Sequence, residues 1–133
     1  MITKGYKQLI EEAEAMVEAV SMEAVLADDS DQLVLIDLRD VRELDREGMI
    51  PGAVHAPRGM LEFWVDPECK YHHKVFSQDD KIFILYCASA WRSALSAKTL
   101  IDMGMTNVKH LAGGFKAWKE AGGPVGERPK KKK

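Results

Sequence analysis

This chain of 133 residues holds only two cysteines, Cys69 and Cys87, too few to form a disulfide framework. It has no long apolar run: the longest uninterrupted stretches are well under ten residues, against the roughly 20 that a membrane-spanning helix needs. Glu11, Glu12, Glu14 and Glu18 interrupt any apolar segment near the start, so no signal peptide is read there. A reducing cytoplasm is the expected compartment, with no membrane partner. The chain also lacks a strong charge of one sign. Its formal net charge is -2, with Lys and Arg interspersed among Asp and Glu, which argues against a nucleic-acid partner across the whole fold. No internal repeat is visible, and the length with 46% hydrophobic residues suits a single core. The one basic run, from 130 to 133, reads as a solvated end, and the tail from 126 to 133 is expected to be disordered.

What is present is an alternation of strand and helix patterns. Tyr6, Leu9, Ile10, Ala13, Met16, Val17 and Val20 recur at three- and four-residue steps, an amphipathic helix over roughly residues 5 to 18. An N-terminal helical segment is therefore assigned to residues 1 to 20 and a main domain to 21 to 125. Ser21 caps a short second helix over 22 to 27, and the acidic stretch 28 to 31 reads as a turn. Leu33, Val34, Leu35 and Ile36 form a continuous apolar run, as does the segment 82 to 86. Such runs mark strands covered on both faces of a parallel sheet. Residues 108 to 111 form a weaker third. Helical patterns at 41 to 47, 93 to 103 and 115 to 121 end at Gly48, Gly104 and Gly122. The expected architecture is α/β: a mostly parallel sheet of about four to five strands with helices on both faces. Residues 57 to 80 read as a long packed loop with some helix over 60 to 65.

Cys87 ends the apolar run 82 to 86 and opens a stretch that leads into a helical pattern. Ligands of such sheets bind outside the carboxyl ends of strands, where the N–H groups of the following helix converge. That is the setting of a nucleophile, although a thiol at a strand end also serves as a small core hydrophobe. Arg92, five positions on, adds a permanent charge and a planar set of donors, suited to an anionic sulfur or phosphorus substrate. Arg58 is a candidate second anion contact. His72 and His73 have only Cys69 nearby and no metal site is assigned. His55 and His110 read as satisfied strand residues, and Cys69 as an inert thiol.

Several residue sets together resemble the rhodanese family of sulfurtransferases in its small single-domain form. They are Asp37-Leu38-Arg39 followed by Glu43, then Ile50-Pro51-Gly52-Ala53, the loop from Cys87 to Ser93, and Gly113-Gly114 with Trp118 and Gly122-Gly123-Pro124-Val125. The resemblance implies a persulfide-carrying Cys87, an amide cradle over Ala88, Ser89, Ala90, Trp91 and Arg92, and Arg92 as the ligand of the anionic donor. It implies no cofactor, a donor such as thiosulfate, and a thiol, cyanide-like or redox-protein acceptor. Asp37 and Arg39 are expected to make a structural tie, with Glu43 as a partner for Arg39, and Gly113-Gly114 a close backbone approach. Many relatives carry glycine where this chain has Ala90, so a positive φ there would cost about 1 to 2 kcal/mol. Trp91 is bulky at the entrance and is expected either to narrow it or to fold against the covering segment. Two alternatives stand beside sulfur transfer. One is a persulfide-carrier or protein-interaction module; the other is a cysteine-dependent phosphatase or arsenate reductase, whose loops generally place five residues between Cys and Arg where this chain has four.

Overall fold

A computed structural model describes residues 1 to 129; the basic run from 130 to 133 lies outside the described residues. The sheet has five parallel strands, β1 (Ala19–Val20), β2 (Leu33–Asp37), β3 (Val54–His55), β4 (Ile82–Tyr86) and β5 (Val108–Leu111), in the order β1-β5-β4-β2-β3. Among the described residues, six α-helices connect or flank them: α1 (Tyr6–Met16), α2 (Met22–Ala27), α3 (Val41–Glu47), α4 (Leu61–Val65), α5 (Trp91–Asp102) and α6 (Gly114–Glu120). The central strands β2 and β4 pair in register from Leu33 with Ile82 to Asp37 with Tyr86. Their carboxyl ends therefore lie side by side.

Side chains alternate across β4 as strand geometry requires. Phe83 and Leu85 enter a core with Val17, Leu61, Phe76, Ala97 and Leu100, beneath α1, α4 and α5. Ile84 and Tyr86 enter the opposite core with Val25, Leu111, Phe115 and Trp118, beneath α2 and α6. Helices thus cover both faces, which is why the strands read as continuous apolar runs.

The largest differences from the sequence reading lie at the two ends of the described chain; α5 and α6 differ from it by only one or two residues. The first helix stops at Met16, and Val17 is already extended at φ -105° and ψ 128°. Val20, whose spacing continues the helical stripe, instead pairs with Leu111 as edge strand β1. The bonds His110 N–H to the Glu18 carbonyl and Ala112 N–H to the Val20 carbonyl hold it there. A sheet edge offering unpaired groups outweighed the helical period. Residues 1 to 20 are accordingly not one helix but a helix and a strand of the same sheet. At the other end, Gly126 makes a two-way bridge with Met49, and Arg128 grips Asp45 at 2.8 and 3.1 Å. The expected disorder from 126 is thus corrected for Gly126 and Arg128.

The long segment after β3 holds a 3-10 turn over Arg58–Met60, α4, and a second 3-10 turn over Lys74–Ser77. Phe76 drops from it onto Phe83, and Trp64 stacks on His73 at 5.5 Å. The segment therefore closes one face of the sheet.

Candidate active site

Two loops meet at the carboxyl ends of the central strands. The loop after β2 is built around Asp37 and Arg39, both buried. Asp37 accepts from the Arg39 backbone N–H at 3.0 Å, from its Nε at 3.0 Å and from its Nη2 at 2.7 Å, while Nη2 also donates to the Gly48 carbonyl at 2.8 Å. The guanidinium lies 4.1 Å from the centre of the Phe115 ring. Burial alone would lower the Arg39 pKa; the Asp37 carboxylate more than offsets it and the net shift is upward. Burial chiefly raises that of Tyr86, whose hydroxyl accepts from the Ile50 N–H. The expected tie between Asp37 and Arg39 is thus present. Glu43, however, is not the ion-pair partner of Arg39 but of Arg92.

Asp40 caps α3 through a capping box in which the Glu43 carboxylate accepts from the Asp40 N–H at 3.2 Å. That fixes Glu43 on the first turn of α3, facing the loop after β4. Arg92 donates to it through Nη1 at 2.8 Å and Nη2 at 3.0 Å. Hydrogen bonding to Arg92 is the main reason the Glu43 carboxyl is held below its ordinary pKa. The Arg92 pKa is raised, first by Glu43 and in lesser part by the neighbouring Cys87 sulfur. Arg92 therefore stands beside the thiol with its fork already engaged.

Cys87 is buried, and its Sγ accepts from the Ser93 N–H at 3.3 Å. Its carbonyl accepts from Phe115 N–H at 2.8 Å, and that of Ala88 from Lys116 N–H at 3.0 Å. In a trans peptide the carbonyl and the following N–H point opposite ways. The amides of Ala88 and Ser89 are therefore turned away from α6. This approach requires Gly114: at φ 66° a Cβ would stand 2.7 to 2.8 Å from the Ala88 and Cys87 carbonyl oxygens. Trp91 and Arg92 supply the first N–H groups of α5, which no preceding turn can satisfy. Among the described residues, the N–H groups of Ala88, Ser89, Ala90, Trp91 and Arg92 have no acceptor. A run of unpartnered donors at the N-terminus of a 12-residue helix is an anion-binding arrangement.

Ala90 caps α5 in the left-handed conformation at φ 75°. The Ser93 hydroxyl donates to its carbonyl at 3.2 Å and meets His110 Nδ1 at 3.0 Å. His110, on β5, is buried, and burial lowers its pKa against a small opposing pull from Glu14 of α1. Sequence reading treats His110 as a satisfied strand residue, which it is, but nothing local reveals that Ser93 links it to the loop. Trp91 does not fold onto the covering segment. Half-exposed, it packs against Tyr6 of α1, with ring centres 5.2 Å apart.

Arg58 donates to Glu62 at 2.7 Å, one turn along, and its backbone N–H to the Leu38 carbonyl. Cys69 and Cys87 are both free thiols. The His72 ring meets the Ser77 hydroxyl, and His73 Nδ1 accepts from the Val75 N–H. A cavity of about 610 Å³ opens beside Ala88 and Phe115, walled by Glu43 and by Lys116 of α6. Sequence reading missed this cavity, since its walls come from segments far apart in the chain.

The model of the rhodanese-like domain matches residues 21 to 121, and the chain belongs to that family. Among its relatives is the mouse thiosulfate sulfurtransferase/rhodanese-like domain-containing protein 3, 31% identical over 94 residues. The alignment covers 67% of this chain and 59% of the mouse protein, so the chain spans about three fifths of the length of such curated relatives. A solved structure from Rhodopseudomonas palustris, a protein of unknown function described as a possible tyrosine phosphatase, is 44% identical with a TM-score of 0.89. That match covers 94% of this chain and 96% of the other. The polysulfide-sulfur transferase homodimer of Wolinella succinogenes is 27% identical with a TM-score of 0.69, covering 92% and 88%. The fold and the family named by resemblance are therefore those of the protein. α1 lies outside the matched residues.

Proposed function

We propose that this protein is a sulfurtransferase that carries sulfane sulfur as a persulfide on Cys87, with thiosulfate or a related anion as donor and a thiol or cyanide-like nucleophile as acceptor. The observation that carries this reading is the run of unpartnered amides over Ala88, Ser89, Ala90, Trp91 and Arg92 in the loop that opens at Cys87 and leads into α5.

The Cys87 thiolate attacks the outer sulfur of thiosulfate. A sulfur–sulfur bond forms to Cys87, the bond to the sulfonate sulfur breaks, and sulfite leaves with the electron pair. The cradle amides hold the resulting anionic persulfide, and Arg92 beside the thiol offsets charge as sulfite departs. In the second half an acceptor thiolate attacks the terminal sulfur, forming its own persulfide and returning Cys87 as thiolate. Two half-reactions on one nucleophile give ping-pong kinetics. No step calls on a cofactor. The two free thiols suit a reducing compartment such as the cytoplasm; among the described residues no helix is long and apolar enough to cross a membrane.

The direct test is the intact mass after thiosulfate treatment, with and without Cys87. Gain of one sulfur only when Cys87 is present supports the reading, and no gain from any sulfane donor overturns it. Phosphatase chemistry, raised by the Rhodopseudomonas palustris relative described as a possible tyrosine phosphatase, is a second reading to set beside it. The four residues between Cys87 and Arg92 make a loop better sized for a sulfur atom than for a phosphoryl group. Hydrolysis of an aryl phosphate without sulfur uptake would reverse the ranking. Half-exposed Trp91 at the loop also suits a carrier that docks a partner, a role that negligible turnover and loss of partner capture in Trp91→Ala would favour.

A further inference from the structure

An anion approaching Cys87 does not meet Arg92 as an isolated charge, because both terminal nitrogens of that side chain already donate to Glu43. The cations of the adjoining cavity are Arg39, Arg46, Lys116 and Lys119. Arg39 is closed onto Asp37, while Arg46 and Lys119 approach the same Glu47 carboxylate at 3.5 and 3.6 Å. Lys116 has no carboxylate within 4.0 Å among the described residues. Its backbone N–H is bonded to the Ala88 carbonyl, so this uncompensated charge is rooted at the residue after Cys87. Glu120, four residues on from Lys116 and its neighbour on the surface of α6, also lines the cavity, and among the described residues it has no cation within 4.0 Å, Lys116 included. Of these two residues, Lys116 is the one whose backbone joins the loop.

We propose that Lys116 is the substrate-binding cation of this site, drawing the anionic sulfur donor through the cavity to the cradle. Resting on the sulfur-transfer reading, this reassigns the first ionic contact from Arg92 to Lys116. Arg92, engaged by Glu43, then serves the reacting sulfur and the leaving sulfite. An exposed lysine on a flexible stem acts through steering and ground-state binding, so it governs the concentration dependence of sulfur uptake more than its limiting rate.

The experiment is single-turnover persulfide formation on the full chain, followed by intact mass over a range of thiosulfate concentrations at low and high salt. Lys116→Gln is expected to raise the half-saturating thiosulfate concentration about three- to five-fold with the limiting rate within about two-fold. Lys116→Glu is expected to raise it about ten-fold or more, and both are expected to flatten the salt dependence. Lys119→Gln, whose charge is shared with Glu47, is expected to change it less than two-fold. An unchanged half-saturation and salt dependence in Lys116→Gln overturns the proposal, as does an equal effect of Lys119→Gln, which would mean a diffuse field. A wild-type protein that takes no sulfur from thiosulfate overturns the donor reading and this inference together. Normal uptake with an unaltered Lys116→Gln removes Lys116 alone.

Discussion

The loops after β2 and β4 lie at adjacent strand ends, share Phe115 and Glu43 as neighbours, and are built on opposite principles. After β2, Asp37 and Arg39 are closed onto each other through both carboxylate oxygens, Nε and Nη2, with Nη2 also on the Gly48 carbonyl and the guanidinium over the face of Phe115. After β4, a run of N–H groups is left without acceptors, and a non-glycine residue is held at φ 75°. The first is a structural knot in which burial is compensated. The second keeps donors available for a ligand, and the surrounding contacts sustain its strain. A pair of carboxyl-end loops can thus divide labour, one fixing the frame and the other holding reactive geometry against it.

The largest effect that tests this division is Cys87→Ser. Sulfur uptake and transfer are expected to vanish while the thermal melt stays near that of wild type, because the knot and not the thiol holds the frame. Substantial turnover, or a protein that fails to fold, would show that the two loops do not divide these roles.

Asp37→Asn should do the converse. It leaves the buried Arg39 without its counter-charge, and loss of one partner of a buried pair costs about 3 to 5 kcal/mol. Denaturant unfolding checks it, and a loss under about 1 kcal/mol would show that the knot is not what holds the strand ends.

Arg92 and Glu43 join the two regions, so their variants sharpen the boundary between them. Arg92→Ala is expected to lower the limiting rate of persulfide formation about ten-fold or more, by removing charge at the departing sulfite. Glu43→Gln should instead keep that rate within about two-fold and lower the half-saturating thiosulfate concentration about two-fold, since it removes a negative charge from the cavity wall. Because the Glu43 pKa is depressed in the folded protein, its contribution to stability is full above the unfolded value and declines as pH falls through the folded one. The difference in melting temperature between wild type and Glu43→Gln should therefore narrow in acid; a difference that widens would exclude the ion pair as its source.

The smallest expected effect is at Ala90. Glycine there removes the left-handed penalty, and stability should rise by a few tenths to about 1 kcal/mol, with persulfide formation equal or faster. A glycine variant both less stable and slower would mean that the loop gains from the rigidity of alanine and is not strained.

The candidate nucleophile and most of the scaffold were legible in the chain. Helix α2 with its Ser21 cap falls at the residues expected from spacing and capping, as does α3. The continuous apolar runs of β2 and β4 announced strands covered on both faces. These features lie within windows of a few residues, where backbone preference and side-chain period act directly. Cys87 was visible for the same reason, at a junction of strand and helix patterns.

Which distant residue completes each local one is fixed by the assembled fold. Arg92 pairs with Glu43, not Arg39 with Glu43, because the Asp40 cap turns the first turn of α3 toward the β4 loop while Asp37 already saturates Arg39. Ser93 holds Ala90 beneath His110, Lys116 is rooted at Ala88, and Val20 leaves a helical period for the edge of β5. A sequence specifies its own backbone preferences over a few residues, but charge neutralisation and hydrogen-bond saturation depend on which groups the crossovers bring within a few ångströms, and that is fixed only when the sheet is assembled.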